Sequence, residues 1–372
     1  KRQVQEALKY LKYEEFLKFQ LTMQLMKQQR TQEMGIAKDF DVTQLQSLIL
    51  SLPFALTKDQ QTAIKEIVED LKSPQMMYRF LQGDVGSGKT VVSSVALYAN
   101  YLAGYQGALM APTEILATQH YQTLSRFFEN TDVHIELLTG SLSLKEKERV
   151  YQAIQSGEAD IVVGTHALFQ KKVVYHNLGF VITDEQHRFG VMQRKALKNK
   201  GQQVDFLIMS ATPIPRTLAI SMYGDMDVST IKTMPQGRLP VKTQYIHSSS
   251  MKPILKHLKS YLAQGGQCYV ICPLVEDSEN LEAKSASQIA KAMQKYFQTQ
   301  YNVGLLHGQM KEDEKEKVMN GFLNNTIQIL VSTTVVEVGV DVKNANMMVI
   351  YNAERFGMSQ LHQLRGRIGR GQ

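Results

Sequence analysis

The sequence predicts an α/β protein made of two tandem lobes, each a parallel sheet covered by helices, with a long connector helix in front of them. After Pro53, short β-rich runs alternate with helical ones, the pattern of strands joined by helical crossovers. The alternation occurs twice, on either side of residues 234–241, where Pro235, Gly237 and Pro240 interrupt both periods and mark a linker. Ahead of it all, residues 4–30 contain no Gly or Pro, and Val4, Leu8, Leu11, Leu17, Leu21 and Leu25 recur at mostly helical spacing among Lys, Gln and Glu. The expected organisation is a helical connector at 1–50, a first lobe at 51–235 and a second lobe at 236–372.

Each element has its own reason. The connector carries an apolar stripe that must dock somewhere, and because the chain opens on Lys1 rather than Met, a domain ahead of it is expected. First-lobe strands are expected at 78–82, 108–111, 161–163, 180–183 and 206–209. Second-lobe strands are expected at 267–272, 303–306, 327–332 and 347–351, with helices at 285–296 and 311–322 between them.

Bulk properties narrow the class. A chain of 372 residues exceeds what one hydrophobic core ordinarily serves. With 43% hydrophobic and 21% charged residues, a globular chain is favoured over a disordered one. Lys plus Arg at 42 against Asp plus Glu at 35 gives +7, which suits a polyanionic partner without requiring one. The only cysteines, Cys268 and Cys272, lie in one apolar run. Strand geometry holds their side chains about 13 Å apart, so they cannot bridge. Two reduced core residues in a cytoplasmic protein are expected, consistent with the lack of a membrane-length apolar stretch or a signal peptide at the first residues.

The chemistry is concentrated in three strings. Gly83-Asp-Val-Gly86-Ser87-Gly88-Lys89-Thr90 fits GxxxxGKT between a strand and a helix, as a phosphate-binding loop requires. Its glycines let backbone amides and the helix N-terminus face the phosphates, Lys89 supplies fixed positive charge, and the Thr90 hydroxyl is placed to ligate Mg²⁺. The apolar run 178–183 ends in Asp184-Glu185-Gln186-His187. There Asp184 would hold Mg²⁺ and Glu185 would polarise the attacking water. Upstream, Thr57 suits an N-cap, and Gln60 either starts a helix or reads a purine edge with a free amide.

The third string is Gln363-Leu-Arg365-Gly-Arg367-Ile-Gly-Arg370. Spacing of three puts Arg367 and Arg370 on one helix face, as fingers for phosphoryl transfer that would make hydrolysis depend on lobe closure, or as a basic surface for nucleic-acid phosphate.

In this order the motifs resemble those of superfamily 2 helicases and translocases. Together with Asp184-Glu-Gln-His-Arg-Phe-Gly190 and Ser210-Ala-Thr-Pro-Ile-Pro-Arg-Thr-Leu218, they look like the RecG family of branch-migration helicases. A transcription-repair coupling translocase is the nearest alternative, but it typically has Glu-Gln where this chain has Gln186-His187. The helix containing Glu14-Glu15-Phe-Leu-Lys-Phe-Gln20-Leu is similar to the connector after that family's fork-binding wedge domain. The resemblance implies two RecA-like lobes with ATP and Mg²⁺ in the cleft between them. It implies DNA-binding or coupling roles for Thr113, Thr139, Gly140, Ser141, Thr165, Ser210, Thr212, His307, Thr333 and Thr334. It places Asp341 near the ribose, and Lys89, Asp184, Glu185, Gln363, Arg367 and Arg370 are the catalytic candidates.

The activity it implies is ATP-driven translocation on duplex DNA for branch migration and stalled-fork reversal. The implied partners are forks and Holliday junctions, with a single-stranded-DNA-binding protein among them; the implied state is a monomer away from membranes. The family also has a wedge domain before the connector and a helical hairpin after the arginine motif, neither of them expected within these residues. An RNA helicase and a nucleotide-gated switch are the other classes that these motifs allow.

Overall fold

A computed structural model of the chain describes residues 2–30, 34–184, 203–210, 226–234, 241–246, 251–273, 279–298, 300–333, 342 and 344–369. It divides into two compact units, Lys1–Met234 and Pro235–Gln372.

The first unit begins with helix α1 (Arg2–Arg30), followed by α2 (Val42–Ser51) and α3 (Lys58–Lys72). The strands are β1 (Tyr78–Gly83), β2 (Gln106–Met110), β3 (Ile135–Leu138), β4 (Ile161–Gly164), β5 (Leu178–Asp184), β6 (Asp205–Ser210) and β7 (Asp227–Ile231). Helices α4 (Lys89–Leu102), α5 (Glu114–Phe127) and α6 (Leu144–Ser156) connect the early ones. All seven strands join one sheet in the order β3-β4-β2-β5-β6-β1-β7, and every pairing is parallel. A parallel sheet is covered on both faces, so its inner strands are apolar without alternation. Phe80, Leu81, Phe180, Val181 and Ile182 are accordingly fully buried.

The expected apolar stripe on α1 is present but uncovered: Leu11 is 57% and Leu25 59% exposed. The chain is anchored after that helix. Gly35 N–H donates to Pro74 O at 2.8 Å and Lys38 N–H to Leu71 O at 2.9 Å. A Cβ on Gly35 would lie 2.6 Å from Met76 N, so only glycine permits this approach. The strap ends in a buried ion pair, in which Lys38 Nζ meets Asp205 Oδ2 and also donates to Gly179 O at 2.9 Å. The second carboxylate oxygen of Asp205 accepts Met77 N–H at 2.7 Å. Gly179, Asp205 and Met77 stand at the starts of β5, β6 and β1, so Lys38 fastens the N-terminal edge of the sheet.

At the other end of the unit, Asp59 in the first turn of α3 accepts Lys232 N–H at 2.9 Å, and Thr233 N–H and Oγ1–H at 2.7 and 2.8 Å. The bonds from Thr233, above all, hold its carboxyl below the usual carboxylate range. They also pin the chain immediately after β7.

The second unit contains α7 (Lys252–Leu262), β8 (Cys268–Ile271), α8 (Glu279–Phe297), β9 (Val303–Leu306), α9 (Glu312–Leu323), β10 (Ile329–Ser332), β11 (Met347–Ile350) and α10 (Met358–Arg365). Its sheet runs β11-β8-β10-β9, again wholly parallel. Cys268, Val270 and Cys272 face Leu258 of α7 and Ala290, Met293 and Phe297 of α8 in one core. Both cysteines are free and buried. Burial pushes both thiols up, that of Cys272 to about 11. Neither should therefore react with iodoacetamide at pH 8 in the native protein, and both should react once urea unfolds it. The stability contributed by the neutral Cys272 thiol is fully present below its ordinary value of 9.0 and is lost as pH rises toward about 11. Among the described residues, no helix is long and apolar enough to cross a membrane.

Candidate active site

A wholly parallel sheet gathers the C-terminal ends of its strands on one edge, where ligands of open α/β folds bind. Along this edge of the first unit, the loop after β1, Ser210 at the end of β6 and Asp184 at the end of β5 are consecutive neighbours. Thr113, Thr139 to Ser141 and Thr165 follow β2, β3 and β4. The phosphate loop and Asp184 thus occupy one half of the edge with the coupling candidate Ser210 between them, and the other nucleic-acid candidates of this unit occupy the other half.

The loop after β1 is built for an anion. Gly86 and Gly88 have φ of 81° and 85°, values that glycine adopts without strain. Ser87 N–H closes a turn on Asp84 O at 3.0 Å, and Asp84 Oδ1 accepts Val85 N–H at 2.8 Å. Helix α4 then starts at Lys89 with no side-chain cap, which leaves its first amides directed at any phosphate in front of them. Ser87 Oγ is buried with no partner among the described residues. Lys89 Nζ donates to Gly83 O at 2.8 Å and Asp84 O at 3.0 Å, so the cation is held at the loop. The glycine cradle, the uncapped helix and the orphan hydroxyl fit a polyphosphate.

Gln60 departs from the free purine reader. It is 2% exposed, its Oε1 accepts Thr57 N–H at 2.9 Å, and its Nε2 donates to Ser87 O at 2.8 Å. Thr57 Oγ1 accepts Gln60 N–H in return at 3.3 Å, completing a capping box at the start of α3. A Cβ on Gly88 would come within 2.2 Å of Gln60 Nε2. The amide is therefore engaged with the phosphate loop, and the cap geometry directs it there.

Asp184 ends β5 one strand from Ser210 and two from the loop. Two strand spacings amount to about 10 Å, a gap that a phosphate-bound ion can bridge. Its Oδ2 lies 2.8 Å from His120 Nε2 of α5, a partner that the sequence did not reveal. With Thr90 in the first turn of α4, Asp184 offers two hard oxygen ligands, the sparse protein set that suits Mg²⁺ held with phosphate and water. Glu185 lies outside the described residues. Among those described, no group of three or more His, Cys, Asp or Glu side chains is placed to hold a metal by itself.

On the other half of the edge, Thr113 caps α5 by accepting Leu116 N–H at 3.4 Å. Glu114 accepts Ser141 N–H at 3.2 Å and also its hydroxyl, and Thr139 Oγ1 lies 3.1 Å from Ser141 Oγ. Thr139 and Thr165 are buried. These hydroxyls knit the loops together more than they face outward, and Glu114 is the knot. Thr212 lies outside the described residues.

In the second unit, His307 follows β9 and Thr333 follows β10, on the same kind of edge. His307 Nδ1 is buried without a partner among the described residues, and Thr333 N–H donates to Leu306 O at 3.3 Å. Gln363 lies on α10 and is half-buried. The expectation that Arg367 and Arg370 share a helix face fails at Arg367: α10 ends at Arg365 with Gly366 as its C-cap, and Gly369 turns to φ 78°. Arg367 sits in that turn, 5% exposed. Arg370, Thr334 and Asp341 lie outside the described residues.

Two parallel α/β units, the first with a phosphate loop and an acidic strand end on one edge, define a helicase-type core. The family described as DEAD/DEAH box helicase matches residues 57–220, and the helicase conserved C-terminal domain matches 250–372. Over all of its length the chain is 53% identical to the ATP-dependent DNA helicase RecG of Bacillus subtilis (strain 168), covering 55% of that protein. With the Streptococcus pneumoniae serotype 4 (strain ATCC BAA-334 / TIGR4) protein of the same name it shares 50% identity, over 98% of this chain and 54% of that one. A solved structure of RecG bound to a three-way DNA junction superposes with a TM-score of 0.86 at 44% identity, over 99% of this chain and 48% of that one. The chain belongs to the RecG family of helicases and spans about half the length of the curated relatives it matches.

Proposed function

We propose that this protein is the ATP-hydrolysing motor of a DNA translocase that acts on branched duplexes, in branch migration and in the reversal of stalled forks. One observation carries the reading: the phosphate loop, Ser210 and Asp184 are neighbours on one sheet edge, and Thr113, Ser141 and Thr165 continue that edge. Small polar groups and backbone amides there suit phosphate contacts that read no bases, as a motor passing every sequence needs.

Thr90 and Asp184 would hold Mg²⁺, which would neutralise charge on the transferred phosphoryl group. Lys89 and the amides of residues 86–90 bind the triphosphate, Gln60 sets the loop, and Glu185 orients the attacking water. Asp341 is assigned to the ribose, Gln363 supplies a neutral hydrogen-bonding amide, and Arg367 and Arg370 add positive charge during hydrolysis. Thr212, His307, Thr333 and Thr334 belong to the nucleic-acid contacts and their coupling. The motor works as a monomer in the cytoplasm on forks and Holliday junctions, with a single-stranded-DNA-binding protein as its protein partner. Of the domains expected from the sequence, residues 51–235 form the ATP-binding lobe and 236–372 the second lobe, with 1–50 as connector.

The test is ATP hydrolysis by the purified protein with no nucleic acid, with a three-way DNA junction, and with duplex RNA. The junction is expected to raise turnover by about tenfold or more, a barrier change of roughly 1.4 kcal/mol. Equal rates with and without DNA would leave only a nucleotide-gated switch, and stronger stimulation by RNA would reassign the substrate.

A further inference from the structure

We infer that His120 is a positioning residue for Asp184, and that α5 is the strut through which the loop at residues 111–114 and 139–141 bears on the magnesium carboxylate. The inference rests on the motor reading above and adds to it a residue and a route.

His120 is 8% exposed and sits on α5, 64 residues from Asp184 in sequence. A carboxylate only accepts, so the imidazole Nε2–H donates across the 2.8 Å to Oδ2. That bond fixes the plane of a carboxylate whose side chain is itself only 16% exposed. Groups that orient a metal-binding carboxylate this way commonly alter metal affinity by about 10–100-fold when removed.

The same helix reaches the other half of the edge. Its N-cap is Thr113, and Glu114 in its first turn takes the Ser141 amide and hydroxyl. From Glu114 to His120 the helix rises about 9 Å, and over so short a span it moves as one body. The loop contacts and the Asp184 contact are thus made by one rigid element. A shift of the first turn, when phosphate engages Thr113 or Ser141, moves His120 against Asp184. A simple core pair would have no such reach.

The test separates orientation from packing. His120→Leu keeps volume and removes the donor, whereas His120→Gln places an amide N–H near the position of Nε2. Binding of a fluorescent ADP analogue is measured with Mg²⁺ and with EDTA, and the ratio of the two Kd values reports how far the metal assists the nucleotide. The ratio is expected to fall about tenfold in His120→Leu and to return in His120→Gln, and stimulation of hydrolysis by the DNA junction should follow the same pattern. An unchanged ratio in a folded His120→Leu protein, or no rescue by glutamine, overturns the inference. If the leucine variant does not fold, His120→Asn, polar but one methylene shorter than glutamine, takes its place with the same expected loss. Failure of the motor reading looks different: the parent protein then shows no DNA stimulation at all, while the Kd ratio still decides the role of His120.

Discussion

Lys89→Ala is expected to bring ATP turnover close to background, a fall of about a hundredfold or more in kcat. One ammonium serves two needs in this structure. It bridges the carbonyls of Gly83 and Asp84 at 2.8 and 3.0 Å, which ties the loop back on itself, and it is the fixed cation beside the phosphates. Alanine removes both. Arginine is expected to fail as well, because a planar guanidinium cannot replace a compact ammonium between two carbonyls. Lys89 is half-exposed, so the melting temperature should change little and the loss will read as chemistry. Phosphate release at saturating ATP, with the DNA junction present, is the measurement. Turnover near the parent's would remove Lys89 from the mechanism.

The second large effect lies at the opposite edge of the sheet. Lys38→Met leaves the Asp205 carboxylate buried with no cation, and losing one partner of a buried pair costs about 3–5 kcal/mol. Burial already pushes the Lys38 ammonium down and the Asp205 carboxyl up from their ordinary values. Both directions say that charge is costly there. Lys38→Met combined with Asp205→Asn should therefore recover most of the loss, since the amide oxygen still accepts Met77 N–H, a bond of 2.7 Å in the native chain. Asp205→Leu is the poorer partner, because an orphaned buried amide costs about 1–3 kcal/mol. Urea midpoints of the single and double variants decide the matter. A single variant as stable as the parent would mean that the strap does not hold the edge.

The parallel α/β lobes and the two acidic and glycine-rich strings were legible because each is written in consecutive residues. What was not legible depends on residues far apart. Edge strands β3 and β7 were missed: both are short, one is broken by Glu136 and the other mixes Asp227, Ser229 and Thr230 with its apolar positions. A strand at the rim of a sheet is half-exposed and lacks the apolar run that announces an inner one. His120 reads locally as one more residue of a helix, and only the approach of its side chain to Asp184 at the end of β5 gives it a partner. Gln60 was placed correctly at a helix start, but the direction of its amide depends on Ser87. The helical spacing of Arg367 and Arg370 misled because Gly366 and Gly369 end the helix first.

The order of the first sheet also governs how the protein is born. Strand β1, which carries the phosphate loop, is flanked by β6 and β7, and Met77 at its entrance meets Asp205 across 128 residues of chain. At roughly 5–20 residues per second, a ribosome needs about ten seconds to supply the first of those neighbours. Through that interval β1 is a strand with both edges bare, the condition that invites mispairing with other chains. The strand that carries the nucleotide loop has both neighbours only after residue 231 has emerged.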